Sequence, residues 1–326
     1  MTSPTLAVAR RLLAALPLLW FAATAPAQEA DAACARQAAA QAARALKAQS
    51  EPGGARDRGF LWRLSKGGHD SWLYGTMHVA RPDWVIPGPA VAAALRESER
   101  IALELDVTDA DIARRLGAAQ APGDAEPLPQ ALEQRLQGQA RAACIPDAIS
   151  QSLSPVLLAL NLAVTAGRAD GLDPAYGIDA FIALLGHQLG KQVVSLETPE
   201  MQLEMLTGGT AEERVEMIDR TLADLEKGQT RRMLKHIADV WSGSKLDELE
   251  RYASWCDCMK TADDQRDMKR MLDERNPAMA EQVAAWHDRG ERVFAAVGSL
   301  HMIGPQGLPA LLKARGYRVE RIVFKR

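Results

Sequence analysis

Two histidines recur in the same local setting. Gly75-Thr76-Met77-His78 and Gly298-Ser299-Leu300-His301 both read G-[ST]-[ML]-H, and each follows a short apolar run. A glycine at a strand end lets the backbone turn sharply and approach a ligand closely. The histidine three residues on can then point across the strand ends. Two imidazoles converging there suit a divalent metal, or a base and its partner. Two ligands are too few for a tight site, so a carboxylate should complete it. Glu104 is the first candidate. It lies in "IALELD" between Leu103 and Leu105, and strand alternation turns it to the face opposite those leucines. The plainer reading of a lone Glu is solvent exposure or a salt bridge; the repeated histidines favour the site.

The elements that must position these residues are legible around them. "FLWRLS", "KGGHD" and "SWLYG" read as a β-hairpin around a Gly-Gly turn, and its second strand delivers Gly75 and His78. A proline-bearing loop, a helix "AVAAALRESE" and a strand Arg100 to Asp106 follow. Near the end "ERVFAAVGSLH" is a strand, "MIGPQG" a loop, "LPALLKARG" a helix and "YRVERIVF" a last strand. Both stretches run strand, G-x-x-H, proline loop, helix, strand. They are read as two related βαβ units in one sheet, with Glu104 on a strand paired by the crossover to the first G-x-x-H strand. Ligands bind at the carboxyl ends of parallel strands, which puts His78 and His301 on one rim. Residues 107 to 290 show apolar positions at three and four, so the middle is a helical insertion, interrupted by a strand from Lys191 to Thr198. The fold class expected is α/β (α+β): a central mixed β-sheet built from two βαβ-type halves, flanked by helices.

These blocks resemble the TraB/PrgY/GumN family, whose superfamily also contains the Tiki Wnt-inactivating proteases. The resemblance rests on "LWRLSKGGHDSWLYGTMHV", "IALELD", "GIDAFIALLGHQLGKQVVSLETPEMQL", "ERN" and "VFAAVGSLHMIGPQGLPALLKARGYRV", in that order over about residues 58 to 325. It implies a metal-dependent hydrolase, a peptidase of Tiki type, and carries over to His78, Glu104 and His301 as metal ligands. Glu104 serves in that picture either as ligand or as general base. Arg275 and Asn276 match a further motif, with roles in supporting those ligands or orienting substrate. Asp179 and Glu197 lie in matching blocks, where a helix cap or a buried ion pair is an equal reading. The implied cofactor is Zn, Mn or Co, and the implied partner is a peptide or protein substrate. Two other readings stay open: a periplasmic module that binds a metal, haem or peptide without turnover, and a metal-free esterase of the erythromycin-esterase type. His69, His187, His236 and His287 lack a paired motif and are read as structural, with His69 exposed in the hairpin turn.

The chain has 326 residues, 47% hydrophobic, with a formal net charge of −3. No run of Lys, Arg and aromatics marks a nucleic-acid surface. Arg10 and Arg11, the apolar stretch from Leu12 to Ala23, and "APA" at 25 to 27 read as a signal peptide over residues 1–27, so the mature chain is periplasmic or secreted. Residues 28–55 read as an Ala-rich leader helix and loop, and 56–326 as one catalytic domain without a membrane span. An oxidising compartment turns four cysteines into two disulfides. Cys256 and Cys258 are two apart, so each is expected to bond to one of Cys34 and Cys144; a metal-binding Cys-x-Cys is the alternative.

Overall fold

The computed structural model describes residues 55–119, 127–256 and 258–325, together with Cys34, Ala39 and Ala43. The signal peptide and most of the leader lie outside the described residues. Six strands form one mixed sheet: β1 (Phe60–Lys66), β2 (His69–Thr76), β3 (Arg100–Leu103), β4 (Gln192–Ser195), β5 (Val293–Gly298) and β6 (Arg318–Ile322), in the order β4-β3-β5-β2-β1-β6. The β1–β2 hairpin closes at Gly67 and Gly68, both at positive φ (63° and 88°), as a two-residue hairpin turn matched to strand twist requires.

The expected units are present, with a different strand order. β2 leads through α1 (Pro89–Glu97) to β3, and β5 leads through α14 (Leu308–Ala314) to β6. β3 does not lie beside β2, because β5 is inserted between them and pairs in parallel with both. β6 pairs with β1 at the far edge. β6 is antiparallel to β1 and β1 is antiparallel to β2, so β6 still runs with β5. The consequence for the site is that the two G-x-x-H strands are direct neighbours, with Thr76 opposite Gly298.

β2 and β5 form the centre of the main core. Leu73, Phe294, Ala295 and Ala296 are fully buried, and α13 (Asn276–Asp288) covers them with Met279, Ala280 and Val283. β5 reads as a continuous apolar run, as expected of a parallel strand buried on both faces. His69 departs from the exposed reading: its ring stacks on His287 at 3.9 Å and bonds the His287 carbonyl at 2.9 Å. His287 is buried and bonded to Ser71 and Lys66, which ties α13 to the hairpin.

Between β3 and β5 the chain forms helices α2 (Ala110–Ala119), α3 (Gln130–Ala142), α4 (Asp147–Ser152), α5 (Pro155–Thr165), α6 (Ile178–Gln188), α7 (Pro199–Thr207), α8 (Ala211–Glu226) and α9 (Gln229–Ser242). The short α10 (Leu246–Glu250), α11 (Tyr252–Trp255) and α12 (Ala262–Met268) follow. α3, α5 and α8 bury Leu132, Leu136, Leu158, Leu162, Ile218 and Leu222 in a second cluster of their own. Among the described residues no helix is long and apolar enough to cross a membrane.

Two disulfides are present, and the expected pairing is overturned. Cys34 bonds Cys144, and Cys256 bonds Cys258. The Cα atoms of Cys256 and Cys258 are 5.0 Å apart, a separation at which a bridge needs no backbone movement. Disulfides suit an oxidising, extracytoplasmic compartment. In chain-entropy terms the two differ sharply. A bridge across 110 residues restrains the unfolded chain by about 5 kcal/mol, and one across two residues by about 1.5 kcal/mol. Cys144→Ser should therefore lower the unfolding free energy by about 2–5 kcal/mol and Cys256→Ser by clearly less. Urea titrations of the two variants check this; equal losses would mean that loop length does not govern.

Candidate functional site

The pairing of Thr76 with Gly298 releases both chains from the sheet at the same level. His78 follows two residues beyond β2, and His301 lies in the 3₁₀ turn Ser299–Met302 beyond β5. Each motif glycine makes room for the other half of the site. A Cβ on Gly75 would lie 2.9 Å from Ser299 Oγ, so Gly75 lets the second loop pack on the first strand. A Cβ on Gly298 would lie 3.2 Å from Glu104 Oε1, 3.5 Å from His78 Nε2 and 3.6 Å from His301 Cδ2. The three candidate side chains thus meet above one glycine.

Both imidazoles are held from behind through Nδ1. His78 Nδ1 is 3.1 Å from Asp179 Oδ1. Asp179 stands in the first turn of α6, whose Ile178 N–H bonds the Met77 carbonyl at 2.9 Å, so the helix start is tied to the histidine loop. His301 Nδ1 is 2.5 Å from Asn276 Oδ1. Asn276 opens α13, and its amide nitrogen donates to the Gln306 carbonyl at 2.8 Å, which leaves its oxygen to accept from the ring. Each Nδ1 therefore carries the proton that it donates. Each Nε2 faces Glu104 Oε1, at 3.8 Å from His78 and 3.9 Å from His301, too far for a hydrogen bond.

Glu104 stands one residue past β3. Backbone pairing continues beyond the strand, with Leu196 N–H donating to Leu103 O and Glu197 N–H to Glu104 O, so Glu104 and Glu197 lie side by side. Glu104 Oε1 accepts the Gly298 N–H at 2.7 Å, and Oε2 accepts Arg275 Nη2 at 2.7 Å. Arg275 also donates through Nε and Nη2 to Glu197 at 2.7 and 2.6 Å, and through Nη1 to the Met271 carbonyl. Four of its five N–H groups are thus engaged inside the protein. The π turn Lys269–Asp273 just before it carries that Met271 acceptor.

The structure thus brings His78, Glu104, His301, Arg275 and Asn276 to one rim, in the strand and helix context that the five sequence blocks share. The chain belongs to the TraB/PrgY/gumN family. The family profile matches residues 60–321, which takes in every one of these residues. No curated protein and no solved structure matches the chain. Two residues that the family blocks left open gain definite places: Asp179 behind His78, and Glu197 beneath Arg275. Gln202, which donates to Glu197 at 3.0 Å, lies in the same sequence block as Glu197 but is not singled out there, because a glutamine on a helix has no spacing that marks its partner.

The charges at this candidate site are set by burial and by neighbours. Burial works to raise the Glu104 carboxyl, but His301, His78, Arg275 and the Gly298 N–H together bring it down to about 2. Burial pushes His301 down to about 4, against the pull of Glu104. The Asp179 charge lifts His78 to about 10; its ring is 59% exposed, and water weakens that pull. At neutral pH Glu104 is an anion, His301 is neutral and His78 holds an extra proton.

The donors that could take a divalent ion are His78 Nε2, His301 Nε2 and Glu104 Oε1. Among the described residues no three His, Cys, Asp or Glu side chains stand as a finished metal cage. Ligands of a tetrahedral ion are about 3.3 Å apart, so each Nε2 would need to draw about half an ångström closer to Glu104 Oε1 to share one. Their chemistry fits: Nδ1–H donation to a carboxylate or an amide oxygen is how metal-binding histidines are usually oriented.

The Arg275 ion group yields a stability prediction. Glu104 and Glu197 side chains are 10% and 5% exposed, so removing the arginine strands two buried carboxylates. Arg275→Met should cost about 3–5 kcal/mol in a urea titration at pH 7. Glu104 has a depressed folded pKa, so its contribution is present above about pH 4.5 and is lost as pH falls through about 2. The acid midpoint of Arg275→Met, followed by circular dichroism, should move to higher pH. An unchanged midpoint and unchanged stability would show that the ion group bears no load.

Proposed function

We propose that this protein is a metal-dependent hydrolase acting on peptide bonds outside the cytoplasm. The carrying observation is that two imidazoles, each oriented through Nδ1, present Nε2 to the same carboxylate oxygen above Gly298. Charge supports a cation there. Glu104, Glu197 and Asp179 are three carboxylates against Arg275 and the protonated His78, which leaves one negative charge uncompensated, and two once a divalent ion displaces the His78 proton. Peptide is the substrate class that the likeness to Tiki proteases implies. The disulfides and the signal-like first 27 residues support export.

His78, His301 and Glu104 would hold the ion. A bound Zn, Mn or Co ion supplies Lewis-acid polarisation of a carbonyl and activation of water near neutral pH. Every other part is done by the chain. Asp179 and Asn276 fix the tautomers and aim the rings. Arg275, anchored by Glu197, keeps Glu104 ionised and in one rotamer. A carboxylate near pKa 2 is a poor proton acceptor at neutral pH, which favours Glu104 as ligand over Glu104 as general base. Arg275 directs four of its five N–H groups to Glu104, Glu197 and the Met271 carbonyl, which favours its positioning role.

A second reading rests on His78. Its exposed ring, protonated beside Asp179, could serve as a metal-free acid with Glu104 as its anionic partner, as in an esterase. The two readings separate on chelation, since metal-free hydrolysis survives prolonged treatment with a chelator.

Purified mature protein, stripped and titrated with Zn, Mn or Co, should take up one ion in calorimetry. His78→Ala and His301→Ala should each abolish that uptake, and Asp179→Asn or Asn276→Ala should weaken it by about 10–100-fold. A divalent ion must displace the extra proton on His78. Affinity should therefore rise with pH through the neutral range toward about 10, with proton release on binding. Peptide-library cleavage with each added metal tests the reaction. Uptake that persists in His301→Ala would sink the shared site, and uptake without cleavage would point to a binding module.

A further inference from the structure

Away from the G-x-x-H rim, the Cys256–Cys258 disulfide opens on a cavity of about 610 Å³ lined by α8, α9, α11 and α12. The cavity shares no lining residue with the candidate metal site. Its wall beside the disulfide is aromatic and held firmly. Tyr252 meets Trp255 edge-on at 4.9 Å, His236 lies over Trp255 at 4.2 Å, and Trp255 Nε1 donates to the Glu248 carbonyl at 2.9 Å. Met233 and Met268 add soft, adaptable surface.

The two sulfurs are not equivalent. Cys256 is buried at 2% exposure, whereas Cys258 is partly open. The Cys258 N–H donates to Cys256 Sγ at 3.1 Å. That bond stabilises a thiolate on Cys256 once the S–S bond opens. The bridge itself restrains the chain little, since it spans two residues while Cys34–Cys144 spans 110. Its position on an aromatic cavity calls for a reason other than stapling.

We propose that Cys256–Cys258 is an exchangeable disulfide that oxidises a cysteine-bearing peptide docked against Trp255 and Tyr252. A substrate thiolate attacks Cys258 Sγ. A bond forms between the substrate sulfur and Cys258 Sγ, the Sγ–Sγ bond breaks, and the electron pair leaves on Cys256. A second thiolate of the same peptide then attacks the substrate sulfur of the mixed disulfide and expels the Cys258 thiolate. The peptide dithiol loses two electrons and two protons; the protein gains two electrons and, as its thiolates protonate, two protons. A low-molecular-weight disulfide such as oxidised glutathione restores the bridge by the reverse exchange.

The full mature protein is the sample, and the probe is a reduced synthetic peptide with two cysteines around a phenylalanine. Samples are acid-quenched, alkylated and mapped by mass spectrometry. Cys256–Cys258 should open and the peptide should be oxidised one for one, with Cys34–Cys144 intact. With the oxidised, internally disulfide-bonded form of the peptide as probe, the Cys258 thiolate of Cys256→Ser should attack the peptide disulfide and be trapped as a mixed disulfide, the other peptide sulfur leaving as thiolate. Cys258→Ser, left with the buried Cys256, should react far more slowly. Trp255→Ala should slow exchange with the peptide by about tenfold, equivalent to ~1.4 kcal/mol of docking, and leave exchange with dithiothreitol unchanged. Metal uptake at the G-x-x-H rim serves as the check that each variant is folded. Both wild-type disulfides opening at one rate, or equal trapping on either cysteine, would overturn the proposal. So would a peptide rate that is indifferent to Trp255. The wild-type comparison stands even if a variant does not fold.

Discussion

Thr76 faces Gly298 across two parallel strands, and the candidate site hangs on that register. A slip of one residue would turn every side chain of one strand to the other face of the sheet and carry its histidine off the rim. The register is held from both sides. Leu73 and Phe294 are buried in the core below, while above it Ser299 Oγ donates to the Thr76 carbonyl at 2.7 Å. Gly75 permits that contact, because a side chain there would strike Ser299. Gly298 then supplies both an N–H for Glu104 and the empty space in which Glu104, His78 and His301 meet. The glycines are needed here for room; neither has a positive φ.

The second organising feature is Arg275. Its guanidinium joins carboxylates from the ends of β3 and β4, so it bonds two strand ends to the start of α13. The next residue, Asn276, orients His301. One turn of chain therefore governs both the anion and one imidazole of the site. Buried ion groups of this kind contribute little net stability against an apolar replacement, but they hold a geometry that apolar contacts leave free. The cost of desolvating three charges is consistent with a site whose arrangement matters more than the stability it adds.

The helical insertion has its own apolar cluster, contributed by α3, α5 and α8, and is joined to the rim through α6 and α7. α6 brings Asp179 to His78. α7 begins at Pro199, two residues after Glu197, and its Gln202 steadies that carboxylate. The insertion thus supplies supporting groups to a site whose central residues all come from the sheet ends and α13.

Although Arg275 and Asn276 were named only through the resemblance to the family, the chain's local chemistry was enough to read the hairpin, the two strand–G-x-x-H–helix–strand units, the helical middle and the candidates His78, Glu104 and His301. Those features depend on spacing within a few residues: a Gly-Gly turn, alternation around Glu104, an apolar run ended by glycine. Strand order was not legible, because inserting β5 between β2 and β3 leaves each local pattern unchanged and is decided by which apolar faces bury best together. Disulfide pairing was not legible either, since four cysteines allow three connectivities and only the fold brings Cys34 to Cys144. Asp179 and Glu197 could be named from their blocks, yet their partners lie 101 residues from Asp179 and 78 from Glu197. A carboxylate's role is set by what it faces, and tertiary packing alone determined that.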